Sequence, residues 1–302
     1  MFRLGIIDCD TSHVVQFSRR LNHRGIDEEQ WVDGATIVAA WSGPSAVTEQ
    51  SRIDGFVQTL RDEGVPLVDR PEDLLGQVDG VLIEANDGSV HRERALPFLE
   101  AGLPVWIDKP FTTSVVDAVA LVEAAQRRGV PIFSASSLRY GLEVQRMQEQ
   151  AAETGRLLGA DVYSPAALHP RNPGLFHYGV HGVEMLYALL GTGCRTVRCV
   201  FQEGAEVVTG VWDDGRIGTL RGTRAGAHAY GFTAFGERRV VPSQVDARYI
   251  YRELLKQIVQ MFTTGRSPLP AEELIEVVAF QEAALRSRES AGAEVALAVA
   301  RR

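Results

Sequence analysis

Asp108-Lys109-Pro110 follows directly on the apolar run Val105-Trp106-Ile107. Such a run reads as a strand buried on both faces, and the carboxyl ends of strands like this are where open α/β sheets bind ligands. Proline at 110 stops the strand and presets a turn, so the Lys109 ammonium is delivered to a sheet edge where a substrate can lie. A second group is His177, His181 and Glu184, spaced to share one face of a helix. With His169 they form an imidazole–carboxylate set of the kind that holds a metal. The simpler alternative is that His177 meets substrate or solvent. No Cys or His-Glu-x-x-His pattern accompanies the set, so no metal is expected.

These groups need elements to hold them. Phe2–Ile7 reads as a strand and Val14–Asn22 as a helix, joined by Asp8-Cys9-Asp10-Thr11-Ser12-His13. Strand, tight turn and helix is how a dinucleotide-binding domain opens, with the pyrophosphate on the helix N-terminus. The G-x-G-x-x-G glycines are replaced by Asp8, Asp10 and His13. Two carboxylates repel a pyrophosphate, and side chains block the close approach that glycine permits. Two alternatives stand: phosphates held by Thr11, Ser12 and His13 as donors, or no dinucleotide. The second strand, Thr36–Trp41, ends in Ser42 with no acid to hold a ribose 2′-hydroxyl, which makes NADP at least as well supported as NAD.

Further along, Pro66–Asp69 reads as a third strand and Pro71–Leu75 as a short helix. Gly80–Glu84 is a strand leading into Ala85-Asn86-Asp87, and His91–Ala101 is a helix closed by Gly102. Strand 105–108, helix Val115–Arg128 and strand Pro131–Ser134 complete a parallel, doubly wound sheet over 1–136. From 137 to 302 the pattern becomes α+β. Helices are expected over Leu142–Thr154, Gly179–Leu190, Ala247–Thr263 and Ala271–Ser290. An antiparallel sheet is expected from Gly159–Ser164, Glu206–Trp212, Ile217–Arg221, Tyr230–Phe235 and Arg238–Val241, with Asp213-Asp214-Gly215-Arg216 as a hairpin turn.

At 302 residues and 45% apolar content the chain can bury cores for two domains, and its net charge of −8 offers no nucleic-acid surface. Cys9, Cys194 and Cys199 form no Cys-x-x-Cys pair and read as free thiols of a reducing cytoplasm. No signal-peptide pattern and no run of membrane-spanning length is expected.

Five motifs, in order, carry a resemblance that covers essentially the whole chain. They are Ala85-Asn86-Asp87 with His91, the stretch 102–110 ending in Asp108-Lys109-Pro110, Thr154-Gly155-Arg156-Leu157-Leu158-Gly159, Tyr178-Gly179-Val180-His181, and Thr264-Gly265-Arg266-Ser267-Pro268. Together they resemble the glucose–fructose oxidoreductase / inositol dehydrogenase (Gfo/Idh/MocA) family of NAD(P)-dependent oxidoreductases. The resemblance implies a Rossmann-type NAD(P)-binding domain followed by a substrate-binding and oligomerisation domain. It implies a cofactor site over Asp8, Asp10, Thr11, Ser12, His13, Ser42, Asn86, Asp87, His91, Asp108, Lys109 and Pro110. Lys109 then bonds the reacting oxygen and His181 is the general acid/base, with Arg139 and His177 near the substrate. Asp108 stands for the family's usual glutamate, and His177 for a frequent aspartate. The implied reaction is hydride transfer to or from a sugar, polyol or related hydroxy compound, by a dimer or tetramer paired through the C-terminal sheet. The alternatives are a non-redox lyase or isomerase using His177, His181 and Glu184, and an inactive binding homologue. Trp106, Tyr163 and Phe176 are core residues first and sugar-site candidates second.

Overall fold

A computed structural model describes residues 1–298. In chain order the elements are β1 (Phe2–Ile7), α1 (His13–Leu21), β2 (Ala35–Trp41), α2 (Gln50–Asp62), β3 (Gly80–Ile83), α3 (His91–Glu100), β4 (Val105–Ile107), α4 (Val115–Arg128) and β5 (Ile132–Ser134). Then follow α5 (Leu142–Glu149), α6 (Ala151–Thr154), β6 (Leu157–Pro165), α7 (Val180–Leu190), β7 (Cys194–Gln202), β8 (Ala205–Trp212), β9 (Ile217–Thr223), β10 (Gly231–Gly236), β11 (Val240–Gln244), α8 (Ile250–Thr264), α9 (Ala271–Glu289) and β12 (Val295–Ala296). They divide into two compact units. One holds Met1–Thr112, Val116–Ala135 and Tyr251–Ala271; the other holds Thr113–Val115, Ser136–Ile250 and the described residues from Glu272.

The first unit is a five-stranded parallel sheet in the order β2-β1-β3-β4-β5. Every residue of β3, β4 and β5 is buried, as continuous apolar runs in a doubly covered sheet require. The strand order reverses beside β1, the switch point where such sheets bind ligands. Parallel register sets Ile7 beside Trp41 and Ile83, and Ile83 beside Ile107. Asp8, Glu84 and Asp108 therefore open neighbouring loops at one edge.

Three local features differ from the sequence expectation. The third strand reduces to a single bridge, Ala40–Leu67, because Pro66 has no N–H with which to extend a ladder. The helix α2 has no counterpart in the expected elements. Only Ile53 and Leu60 of its residues are buried, too thin an apolar stripe to show a helical period. The helix α8 belongs with the first unit and not with the second half of the chain. Phe262 sits where a Cβ on Gly80 would overlap its ring, and Tyr251 meets Phe17 edge-on at 5.7 Å.

The second unit carries a seven-stranded sheet in the order β11-β10-β6-β9-β8-β7-β12. It is mixed rather than antiparallel throughout, since β6 and β9 run parallel. The expected Asp-Gly hairpin joins β8 to β9, with Gly215 at φ +85°. Ten of the residues of α7 are buried, the mark of a helix that is apolar on all sides. It lies so close to the sheet that a Cβ on Gly182 would overlap Leu220. Among the described residues, no helix is long and apolar enough to cross a membrane.

Candidate active site

The turn between β1 and α1 is built on side chains where a glycine loop has none. Asp8 takes φ +67°, the left-handed conformation that a first glycine would otherwise supply. Its carboxylate is buried and accepts from Arg94 Nε at 3.0 Å. Burial outweighs the guanidinium and pushes Asp8 up to about 6. Asp10 is also buried, and burial raises it despite its hydrogen bonds. Its Oδ1 accepts from the Asn86 N–H at 2.7 Å, its Oδ2 from Ser45 Oγ at 2.5 Å and its carbonyl from Thr48 Oγ1 at 2.7 Å. One residue thereby ties the turn to the loops after β2 and β3.

His13, in the place of the third glycine, faces inward. Its Nδ1 lies 2.7 Å from Asp108 Oδ2, and its ring stacks on Phe17 and meets Tyr251 edge-on. Asp108 Oδ1 accepts from the N–H of Lys109 at 2.7 Å. Burial opposes ionisation of Asp108, but His13 and Lys109 win and bring it to about 2. Of the turn residues expected to meet phosphate, Thr11 and Ser12 stay half-buried at the start of α1, where Ser12 makes no side-chain cap. The side chains of Asp8, Asp10 and His13 are committed inside the protein.

Lys109 is only 8% exposed, yet its ammonium meets no carboxylate in an ion pair among the described residues. The Lys109–Pro110 peptide is cis. His91 clamps this loop to the next: Nδ1 lies 2.9 Å from the Pro110 carbonyl and Nε2 2.8 Å from that of Ala85. Asp87 accepts from the Ser89 N–H and hydroxyl, and Ser42 sits by the Cys9 thiol. Glu84, which no sequence motif singled out, is fully buried with neither carboxylate oxygen hydrogen-bonded. Burial, then Asp108 and Asp10, hold it well above the usual carboxylate range. An acid at the end of an apolar strand looks like the first residue of a loop, so sequence carried no sign of this.

In the second unit, His181 opens α7 and its Nδ1 lies 2.6 Å from Ser136 Oγ. That oxygen also accepts from the Leu138 N–H at 3.1 Å, so Ser136 is fixed and fixes the imidazole in turn. Tyr178 and Tyr230 meet the His181 ring edge-on at 4.8 and 6.1 Å, and the Tyr230 hydroxyl donates to that of Tyr178 at 3.1 Å. Both tyrosines line a cavity of about 740 Å³ whose wall also includes Leu168, His228 and Gln244. Ser136 and Tyr230 carry no motif; only the fold brings them to His181.

Arg139 was a substrate-contact candidate. The structure places its guanidinium in the interior, with Nε 2.5 Å from Glu184 and a terminal nitrogen 2.7 Å from Glu273. This corrects the metal-assisted alternative, because the Glu184 carboxylate is spent on Arg139. No group of three or more His, Cys, Asp or Glu among the described residues is placed to hold a metal ion. His177 lies before α7, its ring 5.2 Å from that of His169. Trp106 and Phe176 are core residues.

Comparison with known proteins fits this architecture. Residues 27–136 match the oxidoreductase family with an NAD-binding Rossmann fold, GFO_IDH_MocA. This stretch, almost all of it in the first unit, is similar to the NAD-binding domain of the Gfo/Idh/MocA oxidoreductases. The family match begins after the turn in which Asp8, Asp10 and His13 replace the glycines. A 1,5-anhydro-D-fructose reductase of Ensifer adhaerens is 25% identical over 268 residues, 80% of this chain and 79% of that protein. An inositol 2-dehydrogenase of Saccharopolyspora erythraea is 29% identical over 167 residues, 52% of this chain and 49% of the relative. The scyllo-inositol dehydrogenase of Lactobacillus casei, solved with NAD(H) and scyllo-inositol, shares the fold. Its TM-score is 0.80 at 13% identity, covering 99% of this chain and 100% of that one.

A nicotinamide dinucleotide would need a turn that tolerates its pyrophosphate, and the residues of this one fit. Asp8 is paired with Arg94 and Asp10 is enclosed by two donors, so neither carboxylate faces the α1 N-terminus unscreened. Thr11 and Ser12 with the first backbone N–H groups of α1 would be the donors to a phosphate there. The left-handed residue is present as an aspartate. Asp8 thus supplies the left-handed backbone of the first fingerprint position without a glycine.

Proposed function

We propose that this oxidoreductase transfers hydride between NAD(P) and a hydroxyl or carbonyl carbon of a sugar, cyclic polyol or related small molecule. The single observation that carries the reading is His181, buried, anchored through Nδ1 by Ser136 and bordered by two tyrosines at a cavity wall. The two relatives named for sugar- and inositol-directed chemistry support the substrate class. When bound, the nicotinamide accepts or donates the hydride.

The chain's residues supply the rest. His181 takes the hydroxyl proton in oxidation and returns it in reduction, at Nε2, because Ser136 occupies Nδ1. Imidazole titrates near working pH and can do both. Lys109 bonds the reacting oxygen, and its ammonium stabilises the alkoxide charge as it develops. Asp108 holds the Lys109 backbone, and His13 holds Asp108. The hydroxyls of Tyr178 and Tyr230 bond the substrate's other hydroxyls. Asn86, Asp87, His91, Pro110 and Ser42 border the cofactor through the loops they shape. Arg139 is a framework residue, and His177 lies beside the substrate.

Three free, buried cysteines support a cytoplasmic protein. Exposed apolar residues on the sheet of the second unit, Tyr163, Val200, Ile217 and Val240, support pairing of identical chains through that sheet. The test is nicotinamide absorbance on mixing the protein and NAD(P) with a panel of inositols and aldoses or their ketones. Turnover is expected with at least one, falling by about 10²-fold or more in Lys109→Ala and His181→Ala. A Lys109→Ala protein that kept most of its activity would remove Lys109 from the mechanism.

A further inference from the structure

The end of β2 is where a Rossmann domain reads the adenosine ribose of its cofactor. An acid there accepts from the 2′- and 3′-hydroxyls of NAD, and an arginine nearby accommodates the 2′-phosphate of NADP. In this chain β2 ends in Trp41, followed by Ser42 and Gly43, and carries no acid. The group that stands at this position comes from another element. Arg94, in the first turn of α3, lies with its guanidinium carbon 5.1 Å from the centre of the Trp41 ring. Nothing intervenes from residue 43, where a Cβ would overlap Asp8 Oδ1 and the Trp41 indole.

Asp8 and Arg94 form a layered pair. The Asp8 side chain is the deeper member, 4% exposed, and accepts from Nε at 3.0 Å; the Arg94 side chain is 15% exposed. Holding Nε on a buried acid fixes the plane of the guanidinium and leaves its terminal nitrogens to other acceptors. One of these donates to Glu93 at 2.8 Å, but the Glu93 side chain is 76% exposed. An exposed pair of that kind is worth little and exchanges readily for a stronger acceptor. A phosphate ester is such an acceptor, and the fork of an arginine matches its oxygens two at a time.

We propose that Arg94, supported on Trp41 and oriented by Asp8, receives the 2′-phosphate of the cofactor and makes this oxidoreductase selective for NADPH over NADH. The assignment rests on the reading that the chain binds a nicotinamide dinucleotide. It explains why the first fingerprint position carries an acid: that side chain serves as the anchor of the selectivity residue and not as a phosphate contact. Arg94 is a specificity residue, and Asp8 is a positioning residue acting through it.

The test is the pair of dissociation constants for NADPH and NADH, from nicotinamide fluorescence, on the full chain and on Arg94→Gln combined with Asp8→Asn. The double variant keeps an amide pair in place of the ion pair, so no buried charge is orphaned. NADPH is expected to bind the unaltered protein at least about tenfold more tightly than NADH, the scale of a charge-assisted contact. The double variant is expected to lose that ratio by weakening NADPH alone. Equal binding, or tighter NADH, in the unaltered protein overturns the assignment without needing the variant. Equal weakening of both nucleotides in the variant overturns it too. Failure of both nucleotides to bind the unaltered protein removes the dinucleotide reading, and this assignment with it.

Discussion

His13 Nδ1 and Asp108 Oδ2 lie 2.7 Å apart, joining the residue that replaces the last fingerprint glycine to the residue that precedes Lys109. Both are buried, and Asp108 holds the Lys109 backbone with its other oxygen. The unusual turn and the lysine loop are one assembly. His13→Ala removes the side-chain hydrogen-bond partner of a buried carboxylate and is expected to cost about 1–3 kcal/mol of stability. Adding Asp108→Asn should recover most of that while turnover stays low. Denaturant unfolding of the three proteins checks it; an unchanged His13→Ala midpoint contradicts the pairing.

Stability should respond to pH with opposite signs at two carboxyl groups. Asp108 is depressed to about 2, so its contribution is present above its ordinary value and is lost as pH falls toward that point. Asp8 is raised to about 6 from an ordinary 3.8, so the folded state keeps a proton that the unfolded chain has released. Stability therefore falls as pH rises between those values. Glu84 has the same sign and, held well above its ordinary value, extends the decline further up. Glu84→Gln should raise the melting temperature more at about pH 8 than at about pH 4. Melting curves across that range decide it; an equal shift at both ends speaks against a neutral, buried Glu84.

Ser136 should act on chemistry and not on binding. Ser136→Ala removes the group that orients His181 while leaving the cavity wall unaltered. We expect kcat to fall by about tenfold or more with KM little changed, and the acid limb of the pH profile to move. Ser136→Thr, which keeps the hydroxyl, should restore much of the loss. A Ser136→Ala enzyme with an unaltered pH profile would falsify this role.

Arg139 separates a framework role from a substrate role. Arg139→Met strands Glu184 and Glu273 and is expected to destabilise by about 3–5 kcal/mol. Combining it with Glu184→Gln and Glu273→Gln should return most of the stability, measured in urea. Normal stability with a raised KM would place Arg139 at the substrate instead.

The fold was legible where local pattern and global packing agree. Continuous apolar runs marked β3, β4 and β5, and Asp-Gly marked the β8–β9 hairpin. Local pattern failed at α2, whose apolar stripe is two residues; it marked the helix α8 but not its packing against Gly80, which is distant in sequence. Lys109 and His181 stand out in sequence as candidates because their types advertise chemistry. The residues that orient them were not. Ser136 and Tyr230 are ordinary in type and separated in sequence from His181, and only tertiary structure supplies the pairing. Asp8 and Asp10 read as an obstacle to phosphate because sequence shows their charge and not the donors that enclose it.

The central claim is that this aspartate-bearing turn accepts a nicotinamide dinucleotide. Titrating the purified protein with NADPH and NADH, while following nicotinamide fluorescence and tryptophan quenching, tests it most directly. Saturable binding at about micromolar concentration, an ordinary strength for a cofactor site, is the predicted result. No binding of either nucleotide up to about millimolar concentration would contradict the hydride-transfer account at its root.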